Sequence, residues 1–162
     1  MNFLTDNLLT IITFLPVVGA LLLLLVPGGE SDNSKNLARW IALGTSLVTF
    51  ALSLWMWSRF DPANADFQFV ENYDWIGTSI GYRMGVDGVS ILFVVLTALL
   101  IPACVLSSWG SISNRVREYM LVFLILETLC IGVFTALDLA MFYVFFEGSL
   151  IPMFLIIGIW GG

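Results

Sequence analysis

Five apolar stretches, each close to 20 residues, divide this chain, and nearly every charged side chain lies between them or at their ends. They run from about Asn7 to Val26, Trp40 to Trp57, Val89 to Trp109, Val116 to Ala136 and Leu139 to Trp160. At about 1.5 Å per helical residue, some 20 residues cross a hydrocarbon core of about 30 Å. The pattern predicts an all-α membrane protein with about five transmembrane helices. Residues 58–88 form an extramembrane loop between the second and third. Composition agrees: 59% of the 162 residues are hydrophobic and 11% are charged, against roughly 25% charged in a soluble domain. A soluble enzyme is excluded, and so is a disordered chain, which needs low hydrophobicity and high charge. Six Lys+Arg against twelve Asp+Glu, with no basic cluster, exclude nucleic acid as a partner. The lipid bilayer is the implied surrounding.

The first stretch is read as a retained helix, not a signal peptide. Only Asp6 precedes it where a positive region is required, and no small-residue cleavage site follows. Pro27-Gly28-Gly29 closes it, Asp87 suits an N-cap for the third stretch, and Asp138 leaves almost no loop between the fourth and fifth. Those two should form a tight antiparallel pair. Trp40, Trp57, Trp109 and Trp160 near the ends make an interfacial aromatic belt. Lys35, Arg39, Arg115 and Arg117 fall on one side of the membrane. The other side holds only Arg59 and Arg83, with Asp6, Asp61, Asp66, Glu71, Asp74, Asp87 and Asp138. Basic residues mark the cytoplasmic side, so the N-terminus is expected outside, in the periplasm of a bacterium. Within the 58–88 loop, Phe67, Phe69, Tyr73, Trp75, Ile80 and Tyr82 stand among polar residues and glycines, and Gly77 and Gly81 allow a short hairpin. It is read as a cap on the helix ends, with a binding loop as the alternative.

Two charges lie deep within the spans, Glu127 and Glu147. A carboxylate near the bilayer centre costs a few kcal/mol or more, and such residues usually face a bundle interior or a water-filled path. A carboxyl taken out of water is favoured as the neutral acid, which suits a group that holds a proton and releases it when a cation or water approaches. Each lies ten residues from Leu137. Both are therefore expected about 15 Å from the same surface, near the midplane. Whether they face each other depends on helix rotation. If they do, like charges disfavour ionising both. Glu147 is the stronger candidate for proton translocation. Glu127 is a possible midplane proton site or a structural hydrogen-bonding acid. Pro152 cannot donate to the carbonyl of Gly148, next to Glu147, and that freed carbonyl beside small residues offers a place for water. Pro102 frees the carbonyl of Ala98 with no acid near it and is read as structural.

Other chemistry is missing from the sequence. There is no His, which removes the commonest metal ligand and proton shuttle. No phosphate loop, dinucleotide fingerprint, nucleophile triad or haem or iron–sulfur ligand set is present. Cys104 and Cys130 sit in apolar runs and read as small buried hydrophobes. No metal or cofactor is expected in this chain.

The stretch from Phe142 to Phe154, with its aromatic run, Phe146-Glu147, Leu150-Ile151-Pro152 and the closing Trp160-Gly161, resembles a known family. It is similar to subunit M of bacterial NADH–quinone oxidoreductase, called chain 4 in mitochondrial complex I. Met84-Gly85-Val86-Asp87-Gly88-Val89-Ser90 is similar to the start of that family's third helix, and Thr135-Ala136-Leu137-Asp138 to its turn into the fifth. The resemblance covers essentially all 162 residues. It implies the N-terminal part of an antiporter-like fold of about fourteen membrane helices with two inverted repeats. That fold belongs to the membrane arm of complex I, which moves protons while NADH is oxidised and quinone reduced elsewhere. The implied partners are other membrane-arm subunits, especially neighbouring antiporter-like ones. FMN, iron–sulfur clusters and quinone are implied in other subunits, and the implied location is the bacterial inner membrane. The family's essential glutamate maps onto Glu147. No family role is carried onto Glu127.

The family's membrane lysines belong to later helices, and the only lysine here is Lys35. This stretch alone should not be a complete proton channel. Two other classes fit the residues: a subunit of a multi-subunit cation/proton antiporter, and a purely structural membrane module.

Overall fold

The computed structural model describes residues 7–25, 32–63, 66–76, 80–112 and 115–160. Five helices and one hairpin appear in the order α1 (Leu8–Leu24), α2 (Asp32–Ser58), β1 (Gln68–Ile76), β2 (Ile80–Val86), α3 (Gly88–Ser107), α4 (Val116–Thr135) and α5 (Leu139–Trp160). Four of the helices, α2 to α5, are long and apolar enough to cross a membrane. α1 is apolar but has 17 residues, about 25 Å of helix. Gly28, Gly29 and Gly77, read above as turn residues, lie outside the described residues.

Helix α2 starts at Asp32, eight residues before Trp40, where its apolar stretch begins. Lys35 and Arg39, which precede the apolar stretch in the sequence, are therefore on its first turns. The extension follows from packing. Ala38 and Ala42, one turn apart, are fully buried. Arg39 meanwhile donates from Nη1 to Asn36 Oδ1 at 2.9 Å and from Nη2 to the Ile112 carbonyl at 3.1 Å. Those contacts hold polar turns helical beyond the apolar run.

The 58–88 loop folds as an antiparallel hairpin, pairing Glu71 with Met84 and Tyr73 with Tyr82. An irregularity between Gln68 and Glu71 coincides with Phe69 at φ 56, where a bulge re-aims the strand. The hairpin ties helix ends together. The Glu71 carboxylate accepts from the Thr10 backbone N–H at 3.1 Å and from the Thr10 hydroxyl. One of the unpaired donors in the first turn of α1 is thereby satisfied. Tyr82 Oη shares a hydrogen bond with Thr10 Oγ1 at 2.7 Å. On its other side, the Arg83 carbonyl accepts from the Leu137 N–H at 2.8 Å, the Arg83 guanidinium pairs with Asp138, and Met84 bridges Ala136.

Helix α3 opens with a capping box. Asp87 Oδ1 accepts from the N–H groups of Val89 and Ser90 at 3.1 and 2.9 Å, and Ser90 Oγ accepts from the Asp87 N–H. The Ser90 N–H bond holds the Asp87 carboxyl below its ordinary range. The cap is therefore present above the usual carboxylate pKa and is lost as pH falls through the lowered value. Asp87→Ala is expected to cost about 1 kcal/mol and to raise amide exchange over the first turn of α3, read by hydrogen–deuterium exchange.

The interior forms two apolar clusters. The cluster near the hairpin gathers Leu9, Ile12, Met56, Val94, Ile131 and Phe145 among others. The far cluster gathers Leu23, Ala42, Leu43, Ile101, Met120 and Leu124 among others. On α1, α2 and α4 the buried residues between the clusters include polar ones. They are Thr13 on α1, Ser46, Thr49 and Ser53 on α2, and Glu127 and Thr128 on α4.

Candidate functional site

Helix α4 buries one continuous stripe: Met120, Leu124, Glu127, Thr128, Ile131 and Thr135 recur at spacings of three and four. Glu127 sits on it with no exposed surface. Neither carboxylate oxygen has a hydrogen-bond partner, and the same holds for the hydroxyls of Thr128 and Thr13. α1 packs against α4 along its length, since Leu8 and Ile131 share one apolar cluster and Leu23 and Met120 share the other. The two helices are thus antiparallel. The hydroxyls of α2 are engaged locally. Ser46 donates to the Leu43 carbonyl at 3.0 Å, Thr49 to Thr45 at 3.0 Å and Ser53 to Phe50 at 2.7 Å. Each keeps acceptor lone pairs.

Glu147 has the opposite surroundings. The buried face of α5 is Met141, Phe145, Ser149 and Pro152. Glu147 is exposed. It stands two residues from both Phe145 and Ser149, about 200° around the helix from each. It therefore points away from the bundle, and no described residue bonds to it. The two acids lie at matching distances from their shared turn, eight residues before Thr135 and eight after Leu139, about 12 Å in each case. They are not brought together: Glu127 faces in and Glu147 faces out.

Beside Glu147 the helix lies close to α4. A Cβ on Gly148 would stand 3.3 Å from Leu129 Cδ2. An apolar groove runs there between α4 and α5, lined by Leu121, Ile125, Leu129, Gly148, Ile151 and Pro152 among others. Cys104 and Cys130 are free thiols on the partly buried sides of their helices. Among the described residues, no three His, Cys, Asp or Glu side chains gather to hold a metal ion.

Sequence reading missed Thr13, Thr128 and the α2 hydroxyls. A signal existed, because Ser46, Thr49 and Ser53 recur at spacings of three and four inside an apolar helix. Thr13 carries no such pattern, and only the packing of α1 on α4 reveals it.

Apolar helices of membrane-crossing length, with one carboxyl buried among them and another on an outer face, define a multi-pass membrane protein. No protein-family model matches the chain. Curated relatives do. It is 54% identical over 157 residues to NADH-quinone oxidoreductase subunit M of Rhodobacter capsulatus, covering 97% of this chain and 30% of that protein. It is 43% identical to NADH-ubiquinone oxidoreductase chain 4 of Mycosarcoma maydis, covering 96% and 32%, and 49% identical to chain 4 of Arabidopsis thaliana, covering 90% and 29%. The chain belongs to the subunit M/chain 4 family, and it spans about 30% of the length of the relatives it matches.

Proposed function

We propose that this chain is part of a proton-translocating, antiporter-like membrane subunit of NADH–quinone oxidoreductase, and that Glu147 is its proton-transfer group. The observation that carries this is the position of Glu147. A charged group at membrane depth needs a bundle interior, a pairing partner or a water path. Glu147 faces away from its own bundle, so what it faces lies outside the described residues. A lysine of later helices, as the family resemblance implies, meets that need. An ammonium near the carboxylate favours its ionised form and so drives release of the proton.

The same reading makes other membrane-arm subunits its partners and leaves the redox cofactors to other subunits. The bacterial inner membrane is its location. The excess of Lys and Arg on the side of Lys35, Arg39, Arg115 and Arg117 supports a periplasmic N-terminus. The test is Glu147→Gln in the complete complex, assayed in sealed inverted vesicles for NADH oxidation and proton uptake. With assembly normal, uptake should fall at least tenfold. Wild-type uptake at wild-type oxidation would make Glu147 a structural acid.

A further inference from the structure

We propose that the polar layer between the two apolar clusters is a second, internal proton-holding site, in which Glu127 shares water with the hydroxyls of Thr13 and Thr128. The proposal rests on the reading of this chain as part of a proton-moving subunit and adds to it a site separate from Glu147.

Three observations converge. Glu127 is fully buried, and Thr13 and Thr128 are 0% and 3% exposed. Four of their oxygens, two on Glu127 and one on each threonine, have no protein partner. Buried polar groups are nearly always hydrogen-bonded, to protein or to ordered water. All three residues lie in the interval between the same two clusters, on two helices packed directly together. Pro16 on α1 also denies the Ile12 carbonyl its helical donor, which adds an acceptor at this level.

Chemistry then restricts the state of the acid. A carboxylate can only accept, whereas a carboxylic acid offers one donor and remaining acceptor capacity. Threonine hydroxyls and water both donate and accept, so they can pass a proton to and from such a group. Among the described residues no counter-charge competes for it: the residues buried on α1, α2 and α3 include no Asp, Glu, Lys or Arg. On α4 itself the neighbouring titratable group is Cys130, Glu147 of α5 points away, and Glu71 and Asp138 are engaged at the hairpin. A purely structural acid would use protein partners here, and the described residues supply none.

The test uses the complete complex in its native membrane, with Glu127→Gln, Glu127→Asp and Glu147→Gln. NADH-induced infrared difference spectra should contain a protonated-carboxyl carbonyl band that vanishes in Glu127→Gln and shifts in Glu127→Asp. Proton uptake should fall at least threefold in Glu127→Gln, while Glu127→Asp keeps more than half. A density map of the wild-type complex should place water within hydrogen-bond reach of Glu127. If Glu127→Gln does not assemble, the band shift in Glu127→Asp decides. A spectrum indifferent to both Glu127 variants overturns the proposal, as does wild-type uptake in Glu127→Gln, or a map whose Glu127 oxygens meet only protein. If Glu147→Gln loses uptake while Glu127→Gln keeps it, only the internal site fails. If both keep it, the proton-moving reading fails as well.

Discussion

Gly132→Leu is expected to prevent α4 and α5 from closing on one another, leaving the subunit largely absent from the assembled complex. At Gly132 the Phe145 ring of α5 lies directly against the backbone of α4. A Cβ added there would stand 2.5 Å from Phe145 Cδ1 and 2.6 Å from two further ring carbons. Carbon atoms pack favourably at about 3.5–4.0 Å, so even one methyl requires the ring or the helix to move by about 1 Å. Phe145 is 8% exposed and packs in the cluster near the hairpin, and the space open to it is the apolar cavity it lines with Phe14, Tyr82, Met141 and Val144, so yielding means leaving its cluster contacts. Gly132→Ala gains up to about 1 kcal/mol of helix propensity. Overpacking costs typically about 1–3 kcal/mol, so the net sign should be destabilising. Leucine adds three more carbons in the same direction. Subunit content of the purified complex and its melting temperature in detergent would show the series Gly, Ala, Leu falling in that order. An alanine variant as stable as wild type would mean that the ring moves aside freely.

Asp138→Ala should cost about 2–4 kcal/mol. Two roles end together. Asp138 Oδ1 accepts from the N–H groups of Ala140 and Met141 at 2.9 and 3.3 Å, capping α5. Its other oxygen pairs with Arg83, and the two side chains are 7% and 22% exposed. Loss of a cap is worth about 1 kcal/mol. Removing one partner of a fully buried pair costs about 3–5 kcal/mol; the partial exposure of Arg83 and its bond to Asn72 Oδ1 at 3.1 Å reduce that here. Asp138→Asn keeps a competent cap and loses the charge, so it should fall between wild type and alanine. Hydrogen exchange over residues 80–86 should rise most in alanine, because β2 would lose its hold on the α4–α5 turn. Equal exchange in all three would place the hairpin's attachment in its backbone contacts alone.

Much of this architecture is legible in the residues. Apolar stretches of membrane length mark α3, α4 and α5, because hydrocarbon excludes charge and the chain punctuates each span with Asp, Arg or Gly. The N-terminus of α2 is not legible, since Arg39 and Ala38 stabilise it through contacts with residues distant in sequence. Within the candidate site, the identity and depth of Glu127 and Glu147 follow from counting residues. Their facing does not. Helices α4 and α5 are so apolar all round that hydrophobic periodicity fails to single out a buried side, and rotation is set by contacts such as Gly132 on Phe145. Thr13 is hidden for a related reason: one hydroxyl in an apolar helix has no meaning until its neighbour is known.

Helix α4 is pinned at both ends. At one end the Arg83–Asp138 pair and the Leu137–Arg83 bond hold the turn that follows it. At the other, Tyr119 Oη shares a hydrogen bond with Ser108 Oγ at 2.7 Å, which in turn donates to the Cys104 carbonyl at 2.7 Å. A rod anchored at both tips resists sliding and tilting, so Glu127 near its middle is a stationary fixture. Any change of hydrogen-bond partner at Glu127 then falls to side-chain rotation and to whatever surrounds it. α4 works as a fixed axle for its neighbours and not as a piston.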